Sequence, residues 1–178
     1  SKIDYMNDGE QISGGKIKRA GVLFNEFYGY VCEGIYQTQE EVNNSARTST
    51  TVTVGDLKYR DISGPDGVPD GVISPEYDRV PLGNSLPRFQ YGGSLNASYK
   101  GIDFSLAFQG IGKQNSYLST SMVQPLRDNY GNVPAILEGK YWSPFNTTEE
   151  NLAAKYPRLS IVSKSNNYAT SNFWMFNG

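Results

Sequence analysis

A run of strict alternation near the middle of the chain limits most sharply what it can fold into. From Tyr91 to Lys100, the residues Tyr91, Gly93, Leu95, Ala97 and Tyr99 share one parity, and Gly92, Ser94, Asn96, Ser98 and Lys100 share the other. From Ile102 to Gln109, the residues Ile102, Phe104, Leu106 and Phe108 alternate with Asp103, Ser105, Ala107 and Gln109. Successive side chains of a strand point to opposite faces. The pattern therefore predicts two strands, each apolar on one face and small and polar on the other. Lys100-Gly101 between them predicts a two-residue hairpin turn, with glycine where φ must be positive. Strands of about 9–11 residues cross a bilayer when tilted. Tyr91 and Tyr99 mark the two ends of the first apolar row, and the polar rows carry no mid-strand charge except Asp103. A transmembrane barrel strand has this form, with lipid on one side, a wet lumen on the other and aromatic rims. A half-buried hairpin of a soluble sandwich alternates in the same way, and the hairpin alone does not choose between them.

The flanks of the hairpin bear on that choice. The chain of 178 residues holds 19 Gly and 9 Pro, is rich in Tyr (13), and has a mean hydropathy of −0.51. Two polar stretches of some 60 residues each flank the hairpin. Such stretches are unusual in a compact domain. They are ordinary in a barrel with short turns on one side and long loops on the other. Within the first, Phe27 to Tyr36 is a β-prone aromatic run broken by glycines, 37–42 is one helical turn, and Thr50 to Val54 alternates like an edge strand. Gly64-Pro65-Asp66-Gly67 and Asp70-Gly71 are turn sequences. In the second, Thr147 and Glu150 form a capping box that opens a short helix, which Pro157 ends. No run approaches the ~20 apolar residues of a membrane helix. The first residues lack the apolar centre of a secretory signal. The aromatic run Phe173 to Phe176 stops at Gly178 as though interrupted, so the chain is expected to be an internal segment.

Several function classes are excluded. Histidine is absent, which removes Ser-His-Asp and Cys-His catalysis and histidine-ligated zinc from this chain. The single cysteine, Cys32, permits neither an internal disulfide nor a cysteine cluster. A net charge of −2 does not suit a general nucleic-acid binder. Gly110-x-Gly112 lacks the third glycine and the helix of a dinucleotide fingerprint. The carboxylate pairs Glu40-Glu41 and Glu149-Glu150 fall in short helical turns, and no catalytic residue is assigned.

A series of short motifs then carries a resemblance. It runs from Phe27-Tyr28-Gly29-Tyr30 and Gly34-Ile35-Tyr36 to Gly55-Asp56-Leu57-Lys58-Tyr59-Arg60-Asp61, Asp70-Gly71-Val72-Ile73, Asp78-Arg79 and Leu82-Gly83-Asn84. It continues through Pro87-Arg88-Phe89, Tyr91-Gly92, Ser98 to Ser105 and Phe108-Gln109-Gly110 to Tyr141-Trp142-Ser143-Pro144 and Tyr156-Pro157-Arg158-Leu159-Ser160. Each motif is weak alone, but the ordered series resembles the carboxy-terminal half of SusC/RagA-type TonB-linked outer-membrane transporters of Bacteroidetes, over roughly residues 20–178. Val54 stands where that family often has Pro.

The resemblance implies an all-β fold: a segment of a large transmembrane antiparallel β-barrel with long extracellular loops and short helical turns. On this reading residues 1–26 are a strand or hairpin remnant and 27–88 a long outward loop region. Residues 89–110 are the wall hairpin, 111–172 a second outward loop region and 173–178 the start of a further strand, with no plug domain. The family imports glycan fragments, other nutrients or peptides, powered through TonB, under a SusD-type surface lipoprotein. The implied location is the outer membrane, with the loops outside the cell. The competing class is a secreted soluble β-sandwich that binds carbohydrate.

The site candidates follow from this frame. Ser94, Asn96, Ser98, Asp103 and Ser105 would line the channel. Tyr91, Leu95, Tyr99, Ile102, Phe104, Leu106 and Phe108 would face lipid. Tyr117, Tyr130, Tyr141 and Trp142 are candidates for stacking on a ligand. Asp66, Asp70 and Asp78 partly mimic a calcium loop, with Gly71 at its sixth place. Val68 and Tyr77 stand where that loop needs oxygen ligands. The ordinary reading is a turn-rich loop held by Asp–backbone bonds, so no metal and no cofactor are assigned.

Overall fold

The computed structural model describes residues 2–6, 9–121, 123–128, 131–162 and 164–177. Strands dominate, with a few short helices. In chain order the elements are β1 (Gln11–Ser13), β2 (Lys16–Lys18), β3 (Glu26–Gly29), β4 (Cys32–Ile35), α1 (Gln39–Asn44), β5 (Leu57–Tyr59) and β6 (Val80–Asn84). The long strands β7 (Phe89–Tyr99) and β8 (Ile102–Gly112) follow, then β9 (Asn115–Tyr117), α2 (Thr148–Leu152), α3 (Lys164–Asn167) and β10 (Met175–Asn177). The sheets are small: a four-stranded one in the order β1-β2-β3-β6, and the pairs β4-β5, β9-β10 and β7-β8, all antiparallel. Among the described residues no barrel closes.

The β7–β8 hairpin is the most regular element. Its 11 residue pairs run without a break from Tyr99↔Ile102 to Phe89↔Gly112. Lys100 and Gly101 form the turn at φ 49° and 82°, which is the primed geometry whose twist matches the strands it joins. The strands are longer than the alternation alone predicts, by two residues at the start and three at the end.

The remainder of the described residues forms a packed body of short strands and helices. One core cluster gathers Tyr30, Leu57, Tyr59 and Ile73, and a second gathers Tyr36, Val42 and Val52. Thr38 caps α1 by accepting from the Glu41 amide at 3.1 Å. Thr147 and Glu150 form the reciprocal capping box at the start of α2. Three local expectations change. Thr50 to Val54 forms no strand, because the chain turns there to bury Val52 and to place the Thr53 amide on the Asp56 carboxylate. Helix α2 ends at Leu152, well before Pro157. A 3-10 turn over Asn172–Trp174 precedes β10 and buries Trp174.

Candidate functional site

The hairpin register decides which side chains share a face. Cross-strand partners lie on the same side of a sheet, and the observed pairs sort completely by polarity near the centre. Tyr99↔Ile102, Ala97↔Phe104, Leu95↔Leu106 and Gly93↔Phe108 form the apolar face. Ser98↔Asp103, Asn96↔Ser105 and Ser94↔Ala107 form the polar one. All five channel-lining candidates are therefore brought together, and the Ser105 hydroxyl donates to Asn96 Oδ1 at 2.7 Å. The apolar face is dense at its glycines. A Cβ on Gly93 would come within 2.8 Å of Phe108, and one on Gly110 within 2.3 Å of Tyr91, so each ring lies across the glycine opposite it.

Neither face is covered among the described residues. Residues Phe89 to Gln109 of both strands are exposed, with Leu106 47 % and Ile102 74 % accessible. An uncovered two-stranded hairpin is marginal in water. An 11-residue strand is about 37 Å long, and at a tilt of ~40° it covers about 28 Å, against an apolar band of about 25 Å. Among the described residues no helix is long and apolar enough to cross a membrane.

The body holds a second organised centre, which sequence reasoning missed. Asp56 is fully buried, and its Oδ1 accepts from Arg158 Nε at 2.7 Å and from Asn167 Nδ2 at 3.0 Å. Its Oδ2 accepts from the Thr53 amide at 3.0 Å and from Arg158 Nη2 at 3.3 Å. Asn167 Oδ1 in turn accepts from the Leu57 amide, and Asn166 Nδ2 donates to the Leu57 carbonyl, both at 2.9 Å. The Trp174 indole donates to the Asn167 carbonyl and the Tyr59 hydroxyl to that of Asn166. Gly55, at φ 86°, lies beneath the Trp142 ring, where an added Cβ would approach Cε3 to 2.3 Å. The Gly55-Asp56, Tyr141-Trp142 and Tyr156-Pro157-Arg158 motifs thus converge on one node. Each was visible in the sequence, but their pairing was not. Burial here pushes the Tyr59 hydroxyl well above its usual range, and it pushes Tyr36 and Tyr168 up to about 12 and the Cys32 thiol up to about 11. Cys32 is therefore a neutral, packed thiol at physiological pH.

The stacking candidates do not form one surface. Tyr117 packs beside Phe27 at 6.0 Å between ring centroids. Tyr141 and Trp142 lie elsewhere, on an open cleft of about 560 Å³ that they share with Phe145 and Arg158. Trp142 is 9 % exposed, with one ring face over Gly55, while the nearby Phe145 is 96 % exposed. Tyr130 lies outside the described residues.

In the Asp-rich loop, Asp78 is buried and its two carboxylate oxygens accept from the amides of Ile62, Ser63 and Ser74 at 2.7–3.2 Å. Asp70 Oδ1 accepts from the Val72 amide at 2.9 Å, while Asp66 sits on an exposed turn. Among the described residues no group of three such side chains is gathered for a metal.

Fold and site define a protein built around a long amphipathic β-hairpin and a packed body that encloses apolar clusters and a buried polar node. No family model matches the chain. The chain is similar to TonB-dependent receptor P26 of Formosa agariphila, with 34 % identity over 149 residues. That alignment covers 83 % of this chain and 14 % of the relative, so the chain spans about a seventh of that protein's length. The similarity supports the TonB-dependent receptor family at a distant level.

Proposed function

We propose that these residues form part of a TonB-dependent outer-membrane importer, in which β7 and β8 are adjacent strands of the barrel wall. The observation that carries the reading is the register. It places every large apolar side chain between Tyr91 and Phe108 on one face and the Ser, Asn and Asp side chains on the other, in strands long enough to cross the apolar band. On this reading the apolar face meets lipid, and Ser94, Asn96, Ser98, Asp103 and Ser105 line the lumen. The two-residue turn at Lys100-Gly101 faces the periplasm, and the body around Asp56 stands outside the cell. The similarity to a TonB-dependent receptor supports outer-membrane transport in general.

The finer reading is SusC/RagA-type import of glycan fragments, other nutrients or peptides, with a SusD-type lipoprotein over the mouth. TonB would engage parts of the transporter outside these residues. This reading draws its support from the ordered motif series. The β-sandwich alternative has less support, because β7–β8 packs on no second sheet among the described residues.

Single cysteines on alternate positions of the intact protein in lipid nanodiscs test the proposal. A fluorophore at Leu95, Phe104 or Leu106 is expected to be quenched by brominated lipid and protected from an aqueous quencher. The same label at Ser94, Asn96 or Ser105 should show the reverse. Equal aqueous quenching along both rows would sink the wall assignment.

A further inference from the structure

We infer that the open end of the hairpin carries a binding site for an oxyanion, held between Arg88 and Lys113. Arg88 directly precedes β7 and Lys113 directly follows β8, so the Phe89↔Gly112 pairing sets the two cations at the same end. Both line one recess of about 210 Å³, together with Asn84, Asn115 and Asn177. Neither cation makes an ion pair or hydrogen bond with a described residue, and both are exposed.

The floor of the recess is fixed. Asn115 Oδ1 accepts from the Asn84 amide at 3.2 Å, and Asn115 Nδ2 donates to Asn177 Oδ1. Asn84 Nδ2 donates to the Phe24 carbonyl at 2.8 Å. The Asn115 amide rests on Gly83, where a Cβ would approach Oδ1 to 2.3 Å. These bonds fix Asn84 and Asn115 in the floor, and the two cations supply the recess with its charge. Among the described residues no acid lines the recess. Glu26, opposite Asn84 in the sheet, accepts from the Leu23 amide at 3.3 Å instead.

Lys113 also holds φ at 32°, in a left-handed region that non-glycine residues rarely occupy. Such outliers persist where the surroundings over-determine them, and they cluster at functional sites. A forked guanidinium beside an ammonium suits a carboxylate or sulfate group. The recess is smaller than an ordinary ligand pocket and matches such a group rather than a whole solute.

Two sources could present an oxyanion. The recess that Arg88 and Lys113 share is floored by Asn84, Asn115 and Asn177 and includes no side chain of the hairpin's apolar row. The anion is therefore assigned to a solute in the channel mouth, a placement that rests on the transport reading above. Arg88 also borders a recess on the side of Lys2 and Phe89, so a lipid headgroup is the competing source.

The test is sodium sulfate titration of the intact protein in detergent at constant ionic strength, read by thermal shift and calorimetry. The expected result is saturable binding that weakens at least tenfold in an R88Q/K113Q double variant and returns in R88K/K113R. Equal binding by wild type and double variant, or none by either, overturns the site. In neutral-lipid nanodiscs, retained sulfate binding supports the solute source. Stabilisation that instead requires lipid A, with no response to sulfate, overturns it. Heat-modifiable electrophoretic mobility of the same preparation reports barrel folding separately. A folded barrel without sulfate binding rejects the site alone, whereas loss of the mobility shift rejects the transport reading.

Discussion

In β7–β8 the large apolar side chains lie on an open face, whereas around Asp56 the interior is closed and polar. The two regions differ in where their stability originates. The hairpin satisfies its backbone by a continuous ladder and leaves its side chains to the surroundings. The body has short strands and short helices, and holds them with side-chain-to-backbone bonds from Asp56, Asn166, Asn167 and Asp78. A change in the solvent around the molecule should therefore act on the hairpin, and a change in internal pairing should act on the body.

The largest effect should come from the node. Replacing Arg158 with Met removes both guanidinium bonds to a fully buried carboxylate. Breaking a buried pair from one side costs about 3–5 kcal/mol, because the remaining charge is uncompensated. The body should become protease-sensitive in 36–60 and 141–174, and the alternating label pattern on β7–β8 should remain. Loss of both together would show that the two regions are one cooperative unit.

The second test reverses the roles. Leu106 pairs with Leu95 near the middle of the hairpin. If the apolar face meets lipid as proposed, Leu106→Lys should cost about 2–4 kcal/mol, since a cation must leave water for hydrocarbon. Asn96→Lys on the opposite face should cost far less. Comparing folded yields of the two variants in lipid measures the difference. Equal yields would mean that the polarity of the faces is not set by lipid.

Gly55→Ala sharpens the same contrast at smaller scale. The new Cβ would meet the Trp142 ring, at a backbone position that already needs positive φ. Overpacking of this kind costs about 1–3 kcal/mol. Reduced midpoint temperature with a red shift of tryptophan emission is the expected readout. Gly110→Ala meets the Tyr91 ring equally closely, but that ring is 62 % exposed and free to turn aside, so little change is expected there.

These contrasts also explain which parts were legible in the sequence. The hairpin was readable because its signal is local: parity, a two-residue turn and length all lie within some twenty residues. Its ends were missed where parity fails, since Ile111 falls on the polar face opposite Gln90. The body was not readable, because its bonds join residues about a hundred positions apart, such as Asp56 with Arg158 and Leu57 with Asn167. No periodicity encodes such pairs. Trp142 shows the same limit for sites. Its ring type suits stacking, but only the fold reveals that Gly55 occupies one of its faces.

The smallest effect concerns the turn that joins β7 and β8. Lys100 adopts φ 49° and Gly101 φ 82°, so both central residues sit in the region that side chains disfavour. Lysine tolerates this poorly, whereas asparagine is favoured at that position of a primed turn. The Lys100 ammonium lies 5.2 Å from the Tyr99 ring centroid, and this contact would be lost on substitution. At an exposed site such a contact contributes about 0.5–1 kcal/mol. The backbone gain on placing asparagine here is of similar size, about 0.4–1 kcal/mol by analogy with other conformationally matched replacements. Lys100→Asn should therefore leave stability within about 0.5 kcal/mol of the wild type, while Lys100→Val, which is β-branched, should lower it by about 1–2 kcal/mol. Refolding into detergent micelles, followed by electrophoretic mobility, checks both. A gain above 1 kcal/mol for Lys100→Asn would show that the ring contact contributes nothing and that turn strain alone limits the hairpin.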